Sequence, residues 1–555
     1  MTARGQRLPS VKIAAAANKL VYKTDPYGNF GFSSQLPQDT LTFSCDGYDT
    51  LSMFVKADEY ARIVLKPLPS SVIFTKDNTS VIIKGNYNAA SVRTIKDETY
   101  THTDEYNFQQ TTTAPGIAFS ANINRASYSN IRRLINEMDG LLPPNAVRIE
   151  EMLNYFNFNY TPPEKDSMFH CVSYLTNCPW DKEHQLLFTN ISGRKINMAN
   201  IPPGNLVFLF DVSGSMDMPN KLPLIKSGFI KMVKNLRAID TVSVVTFGES
   251  VQVLLEGVPG SEKEMIAKTI ERIVADGNTP GEAGIRLAFK VAKKRFIKGG
   301  NNRIILAADG DFNVGMSTEI DLMTLIDQEK RSGIYLSCLG VGSGNYKDSK
   351  LYLMSLKSNG NFAYIDNEQE AERVLVTDIT KTLFTVAENV YISVNFNPQM
   401  VKQYRLLGYE NDNTVLSDTI KKLRGGEIGS GHSLMAVFEL EPAYSVKASA
   451  NWQAKMEVHY KLPLQPREYI TSYTCENNLT ALKETDSSIR KAASVVMFGM
   501  KLKDSEYSKM ISWRSLQKLA AGCFNRERYI DKEFLTLVSK AKKMYTHRKK
   551  YGGDY

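Results

Sequence analysis

Cysteine and histidine are both scarce, six of each among 555 residues. The cysteines lie far apart except for Cys171 and Cys178, so they give neither the paired spacing of a zinc site nor the density of a disulfide-stapled domain. The histidines are scattered and no H-E-x-x-H sets two of them on one helix face; His432, in a glycine-rich turn, is expected to be structural. The G-x-S-x-G elbow and the G-x-x-x-x-G-K-[ST] loop are also missing, which argues against an α/β-hydrolase nucleophile and a P-loop nucleotidase. Gly340-Val341-Gly342-Ser343-Gly344 lacks the third glycine of a dinucleotide fingerprint and reads as a turn. No apolar run approaches the roughly 20 residues that a membrane-spanning helix needs. Charge of one sign does not dominate: the net is +9, and the cluster Lys540, Lys542, Lys543, Arg548, Lys549 and Lys550 reads as a solvated helix end rather than a nucleic-acid site. The opening MTARGQRLPSVKI has no apolar signal core and no lipid-attachment cysteine.

What is present is ordinary globular composition, 43% hydrophobic and 23% charged, on a chain too long for one core. Residues 1–68 alternate short strands with turns such as Asp25-Pro26-Tyr27-Gly28-Asn29, the pattern of a small β-sandwich. Residues 69–115 are rich in Thr, Asn, Asp and Tyr and read as a linker with at most a hairpin, in Val72-Ile73-Phe74 and Val81-Ile82-Ile83. From residue 116 to 203 two helices precede two strands, and Pro144 suits the first turn of the second helix. Residues 204–385 alternate strand and helix throughout, which predicts a doubly wound, mostly parallel sheet with 251–255 as an antiparallel edge. Residues 386–555 return to strands and close with helices. The fold class expected is therefore multidomain α/β with flanking β-rich and helical segments.

The chemistry gathers at 206–216, LVFLFDVSGSM. Five consecutive apolar residues read as a strand buried on both faces, and Asp211, Ser213 and Ser215 follow at alternate positions. Gly214 between the serines is expected to let the backbone turn sharply. Loops at the carboxyl ends of parallel strands are where such sheets bind ligands, and hydroxyls with a carboxylate suit a hard cation such as Mg²⁺. A second strand, 303–307, ends in Ala308-Asp309-Gly310-Asp311, so Asp309 would face the same cleft if the strands are neighbours. Thr279, in Gly277-Asn278-Thr279-Pro280-Gly281, supplies a hydroxyl from a third loop. Asp217 and Asp311 read as solvated neighbours.

This constellation resembles the metal-ion-dependent adhesion site of von Willebrand factor A domains. The resemblance implies Ser213, Ser215 and Thr279 as ligands of Mg²⁺ (or Mn²⁺ or Ca²⁺), with Asp211 and Asp309 acting directly or through water. A partner's Asp or Glu would complete the shell. The segments Ala126-Ser127-Tyr128-Ser129-Asn130-Ile131-Arg132-Arg133, Val147-Arg148-Ile149-Glu150-Glu151-Met152-Leu153, Cys178-Pro179-Trp180, Asn395-Phe396-Asn397-Pro398, Tyr404-Arg405-Leu406-Leu407-Gly408-Tyr409-Glu410 and Gly426-Glu427-Ile428-Gly429-Ser430-Gly431-His432 resemble bacterial YfbK-type von Willebrand A proteins, from about residue 118 onward. That likeness implies an A domain clasped by its own flanks, in an envelope protein. Departures include Asn122 and Asn124 where acids are usual, Asn278 and Ala308 where Ser and Thr are usual, and Ile420-Lys421-Lys422-Leu423-Arg424 in place of an acidic stretch. Residues Thr24, Asp25, Gly28, Phe30, Phe32, Leu41, Phe43 and Gly47 resemble a carboxypeptidase regulatory-like domain, which implies an accessory sandwich with a further strand, and any export signal, upstream of the residues given. The function expected is a non-enzymatic, metal-dependent protein-binding module of the cell envelope (periplasm or outer-membrane surface), with no nucleic acid and no membrane span. The alternatives are an A-domain subunit working with a separate ATPase, as in chelatase-like systems, and a glycan-associated adhesin.

Overall fold

The computed structural model describes residues 11–551 apart from 17–20, 25–28, 31–37, 46–47, 49, 57–62, 66–97, 103, 122–123, 139–140, 157, 159, 165–166, 197–200, 278–280, 312–318, 331, 359, 380, 382–383, 410–424, 444–450 and 464. The chain divides into two compact units, Met1–Asp97 and Glu98–Tyr555. In the first, β1 (Lys12–Ala15), β2 (Val21–Lys23), β3 (Gln38–Ser44) and β4 (Leu51–Lys56) form one antiparallel sheet in the order β2-β1-β3-β4. Strict alternation puts Ile13, Ala15, Leu41 and Phe43 on its buried face, with Phe30 edge-on to Phe43 at 5.4 Å. The second sheet of the expected sandwich is not found among the described residues, and the two strand-like runs of the linker lie outside them.

The second unit begins earlier than the polar composition predicts. Residues 98–115 are not a linker: Thr99 bridges Lys347, and β5 (Gln109–Gln110) pairs with residues 403–404. Their polar groups are satisfied by distant partners, which composition cannot register. Next come β6 (Gly116–Ser120), α1 (Ala126–Glu137), α2 (Ile149–Tyr155), β7 (Phe169–Asn177) and β8 (Gln185–Gly193).

The α/β core then runs β9 (Gly204–Asp211), α3 (Leu222–Val233), β10 (Thr241–Phe247), β11 (Val251–Pro259), α4 (Lys263–Glu271), α5 (Gly281–Lys294), β12 (Asn301–Ala308), α6 (Glu319–Lys330), β13 (Ile334–Val341), α7 (Asp348–Lys357), β14 (Phe362–Ile365) and α8 (Glu368–Glu372). The sheet order is β11-β10-β9-β12-β13-β14, parallel except for the antiparallel edge β11. Every residue of β9 is buried: Val207 and Leu209 face one apolar layer with α5 and α7, while Leu206, Phe208 and Phe210 face the other with α3 and α4. The chain leaves β9 toward β10 on one side and returns to β12 on the other, so the switch point of the sheet lies between β9 and β12. β14, not foreseen in the sequence, is too short at four residues to show a period.

The expected N- and C-terminal segments are one co-folded body. β15 (Thr385–Phe396), β16 (Val401–Leu407), β17 (Gly426–Gly429), β18 (Ser433–Pro442), β19 (Trp452–Lys461), β20 (Glu468–Glu476) and β21 (Leu479–Thr480) interleave with β5 to β8 in two sheets: β6 pairs β15, and β8 pairs β18. Phe119, Leu187, Ile392, Phe438 and Met456 share their common core. The helices α9 (Ser487–Lys503), α10 (Trp513–Ala521) and α11 (Tyr529–Tyr551) follow. Arg132 on α1 ties these parts to the α/β core, binding Asp366 at 2.5 Å, Glu370 at 2.8 Å and Glu533 at 2.9 Å. All six cysteines are free thiols, Cys171 and Cys178 included. Among the described residues no helix is long and apolar enough to cross a membrane.

Candidate metal centre

Because β9 and β12 are hydrogen-bonded neighbours, with Phe210 opposite Ala307, their carboxyl ends bring Asp211 and Asp309 to one crevice. Both are fully buried. Oδ1 of Asp211 accepts the Ser213 N–H at 2.9 Å, and its Oδ2 has no hydrogen-bond partner among the described residues. Ser213 and Ser215 lie 3.2 Å apart at their hydroxyls, and the Ser215 hydroxyl donates to Asp309 Oδ2 at 2.8 Å. Four of the five predicted residues thus converge, while Thr279 lies outside the described residues. Its loop is nonetheless anchored here, since the Gly214 N–H donates to the Gly277 carbonyl at 3.0 Å and the Asp276 N–H to Val212 at 2.6 Å. Gly277, at φ +76°, packs so tightly on Glu249 that a side chain could not replace its hydrogen.

Two details depart from expectation. Gly214 does not use left-handed freedom: it opens a single 3-10 turn, Gly214–Met216, and an added Cβ would meet the Gly277 carbonyl at an ordinary 3.6 Å. The turn comes from the Ser213 N–H folding back on Asp211. Ala308, standing where Thr is usual, packs into the core behind the sheet.

Sequence reasoning missed Lys221 and Asn345. Lys221, buried just before α3, donates to Asp309 Oδ2 at 2.9 Å and to Asn345 Oδ1 at 2.8 Å, and Asn345 donates to the same Asp309 oxygen at 2.9 Å. A lone lysine ahead of a helix carries no motif; its one trace is the glycine turn it passes. Gly340 and Val341 still belong to β13 and the chain turns only from Gly342, which has φ +80° and where a Cβ would meet the Lys221 side chain at 2.3 Å, so the expected turn is confined to 342–344 and is shaped by passage of the lysine.

The electrostatics follow from burial. Loss of water, then the neighbouring Asp309 carboxylate, push Asp211 up to about 7 against the pull of Ser213 and Lys221. Burial also acts to raise Asp309, yet the Lys221 ammonium outweighs it and holds that carboxyl below its ordinary value. Neutral hydroxyls, two carboxylates and an orphaned carboxylate oxygen form a hard-oxygen donor set, which fits a divalent cation of the Mg²⁺ type.

A doubly wound sheet with D-x-S-x-S ending its central strand and an aspartate across the switch point defines a von Willebrand factor type A domain protein. The family model described as von Willebrand factor type A domain matches residues 205–381, that described as von Willebrand factor matches 94–188, and the YfbK C-terminal model matches 381–544. The chain belongs to the YfbK family: it is 34% identical over 447 residues to Uncharacterized protein YfbK of Escherichia coli, covering 76% of this chain and 77% of that protein. It is also 30% identical over 173 residues to Uncharacterized protein sll0103 of Synechocystis sp., covering 30% of this chain and 39% of that one. Among solved structures, von Willebrand factor type A from Catenulispora acidiphila matches at TM-score 0.39 and 14% identity, over 66% of this chain and 88% of its own. The ArnB paralog VWA2 from Sulfolobus acidocaldarius matches at TM-score 0.33 and 14% identity, over 68% and 98%. Domains of this class are generally protein-interaction modules.

Proposed function

We propose that this chain is a non-enzymatic, divalent-metal-dependent protein-binding module of the bacterial cell envelope. Asp211, Ser213, Ser215 and Asp309, with Thr279 from the adjoining loop, would hold Mg²⁺. Bound there, the cation supplies a hard Lewis acid that remains short of negative charge and accepts one carboxylate from a partner protein.

The observation that carries this reading is Asp211 Oδ2, a buried carboxylate oxygen without a partner among the described residues, facing a second buried carboxylate. An orphaned buried acceptor costs roughly 1–3 kcal/mol, more when charged, and is retained where something else is to satisfy it. The chain's own groups keep the donors in place: Ser213 N–H fixes one oxygen of Asp211, and Ser215 and Lys221 fix Asp309. The envelope assignment rests on the family resemblance alone and is checked by fractionating cells that express the complete gene. Calorimetric titration with Mg²⁺ or Mn²⁺ tests the site itself: wild type binds and Asp211→Ala does not. Equal affinity in both would refute the assignment.

A further inference from the structure

The mouth of the crevice is acidic. Asp217, Glu249, Asp276 and Asp311 are all exposed. Asp217 follows Ser215 by two residues, and Asp311 follows Asp309 by two, its N–H donating to Asp309 Oδ1 at 2.9 Å and its carboxylate accepting from Asn345 at 3.1 Å. Asp276 and Glu249 are joined directly, the Glu249 N–H donating to the Asp276 carbonyl at 3.2 Å. The sequence of 278–280 and 312–318 holds no charged residue. Lys347, whose N–H bonds the Asp309 carbonyl at 2.9 Å, is half-buried at the same edge, so the four exposed acids named here are set against one partly buried base.

The interior has the opposite tendency. With both buried carboxylates ionised, as cation binding requires, Asp211 and Asp309 are offset by one buried ammonium, Lys221, and a divalent cation would bring the centre to one net positive charge. The orphaned Asp211 Oδ2 is the independent sign that a ligand belongs in this crevice.

On the metal reading above, we propose that the partner is a basic protein segment presenting a single Asp or Glu flanked by Lys or Arg. One carboxylate matches the single positive charge at the centre, and the flanking cations meet the acidic rim. A uniformly acidic partner would be repelled at the rim before its carboxylate reached the centre. Met218, 53% exposed beside Asp217, offers apolar surface to the aliphatic stem of a flanking Lys or Arg.

The test uses the full chain in Mg²⁺ and three labelled pentapeptides, Lys-Lys-Asp-Lys-Lys, Glu-Glu-Asp-Glu-Glu and Lys-Lys-Asn-Lys-Lys, read by fluorescence anisotropy beside Mg²⁺ calorimetry. The lysine-flanked aspartate is expected to bind about tenfold or more tightly than either twin at low salt. The margin over the glutamate-flanked peptide should shrink as salt rises, and in the double variant Asp217→Lys, Glu249→Lys. Equal binding of the Asn peptide would overturn the proposal, leaving plain attraction to a polyanion. Equal or tighter binding of the Glu-flanked peptide would overturn it as well. So would absence of peptide binding by a protein that titrates normally with Mg²⁺, a result that leaves the metal site standing; failure of the Mg²⁺ titration itself removes both.

Discussion

Replacing Asp211 with Asn tests the electrostatics of the crevice without changing its shape. The carboxyl is held at about 7 against an ordinary value of 3.8, a difference of roughly three pK units. At 1.36 kcal/mol per unit this amounts to about 4 kcal/mol against the ionised form in the folded protein. Between the two values the folded chain keeps a proton that the unfolded chain has released, so stability falls as pH rises through that window. Above about pH 7 both states are ionised and the loss is complete. Asn is neutral throughout and removes this slope. Divalent cation reverses the balance, because only the ionised carboxylate ligates it. In chelator, the melting temperature of Asp211→Asn should therefore exceed that of wild type by a margin that opens from about pH 4 and is fully developed just above about pH 7. Adding Mg²⁺ should raise wild type at the alkaline end and leave the variant unmoved. Scanning calorimetry of both proteins at one scan rate measures it. A margin that stays constant across pH in chelator would refute the reasoning, since it would mean that Asp211 ionises as an ordinary aspartate.

Lys221→Met removes the ammonium 2.9 Å from Asp309 and leaves the metal-free crevice with two uncompensated carboxylates. Mg²⁺ affinity should rise by roughly tenfold while stability in chelator falls, as read by calorimetric titration and melting. Ser215→Ala deletes an exposed hydroxyl that bonds Asp309, so it should cost about 1 kcal/mol or less in stability but at least about tenfold in Mg²⁺ affinity. Arg132→Ala strands Asp366, Glu370 and Glu533 around an empty guanidinium site and should destabilise by about 3–5 kcal/mol. Lysine at that position, unable to span three carboxylates with a planar fork, should restore less than half the lost melting temperature.

The parts of this site legible in the sequence are those whose chemistry is local. Asp211, Ser213 and Ser215 sit within one turn of a strand that announces itself by five buried apolar residues, and Asp309 ends a second such strand. The pairing of these strands follows from the α/β alternation, because doubly wound chains switch direction beside their first strand. Lys221 and Asn345 could not be read, since each reaches the site from a loop with no spacing to mark it. The two sheets that the flanking segments build together were opaque for a related reason. Their defining contacts, such as the Thr189 hydroxyl on the Ala436 carbonyl 247 residues away, join strands separated by the whole α/β core. Strand-like pattern at 390–396 or 434–440 shows which residues are strands but not their neighbours.

Support for the crevice of Asp211 and Asp309 extends into the flank that polar composition disguised as a linker. Glu98 is fully buried and accepts from both terminal nitrogens of Arg133 on α1, at 3.0 and 2.8 Å. The same carboxylate accepts the Gly344 N–H at 2.9 Å, one residue before Asn345. On the far side of that loop Thr99 accepts the Ser349 N–H and donates its own N–H to Tyr346, each at 3.1 Å. Residues 98–99 therefore brace the loop whose Asn345 grips both Lys221 and Asp309. A glycine-rich turn has little packing of its own with which to hold a side chain in place, and here the rigidity is supplied by a buried ion pair from outside the α/β core. The clasp is thus more than a cover for exposed edges. Without Glu98 and Arg133 the loop would lose the bond on the Gly344 N–H, the outer anchor next to Asn345, whose amide oxygen is the second acceptor orienting the Lys221 ammonium on Asp309. A continuous set of bonds from α1 to the buried aspartate gives a physical reason for a chain that builds its flanks and its α/β core as one folded unit.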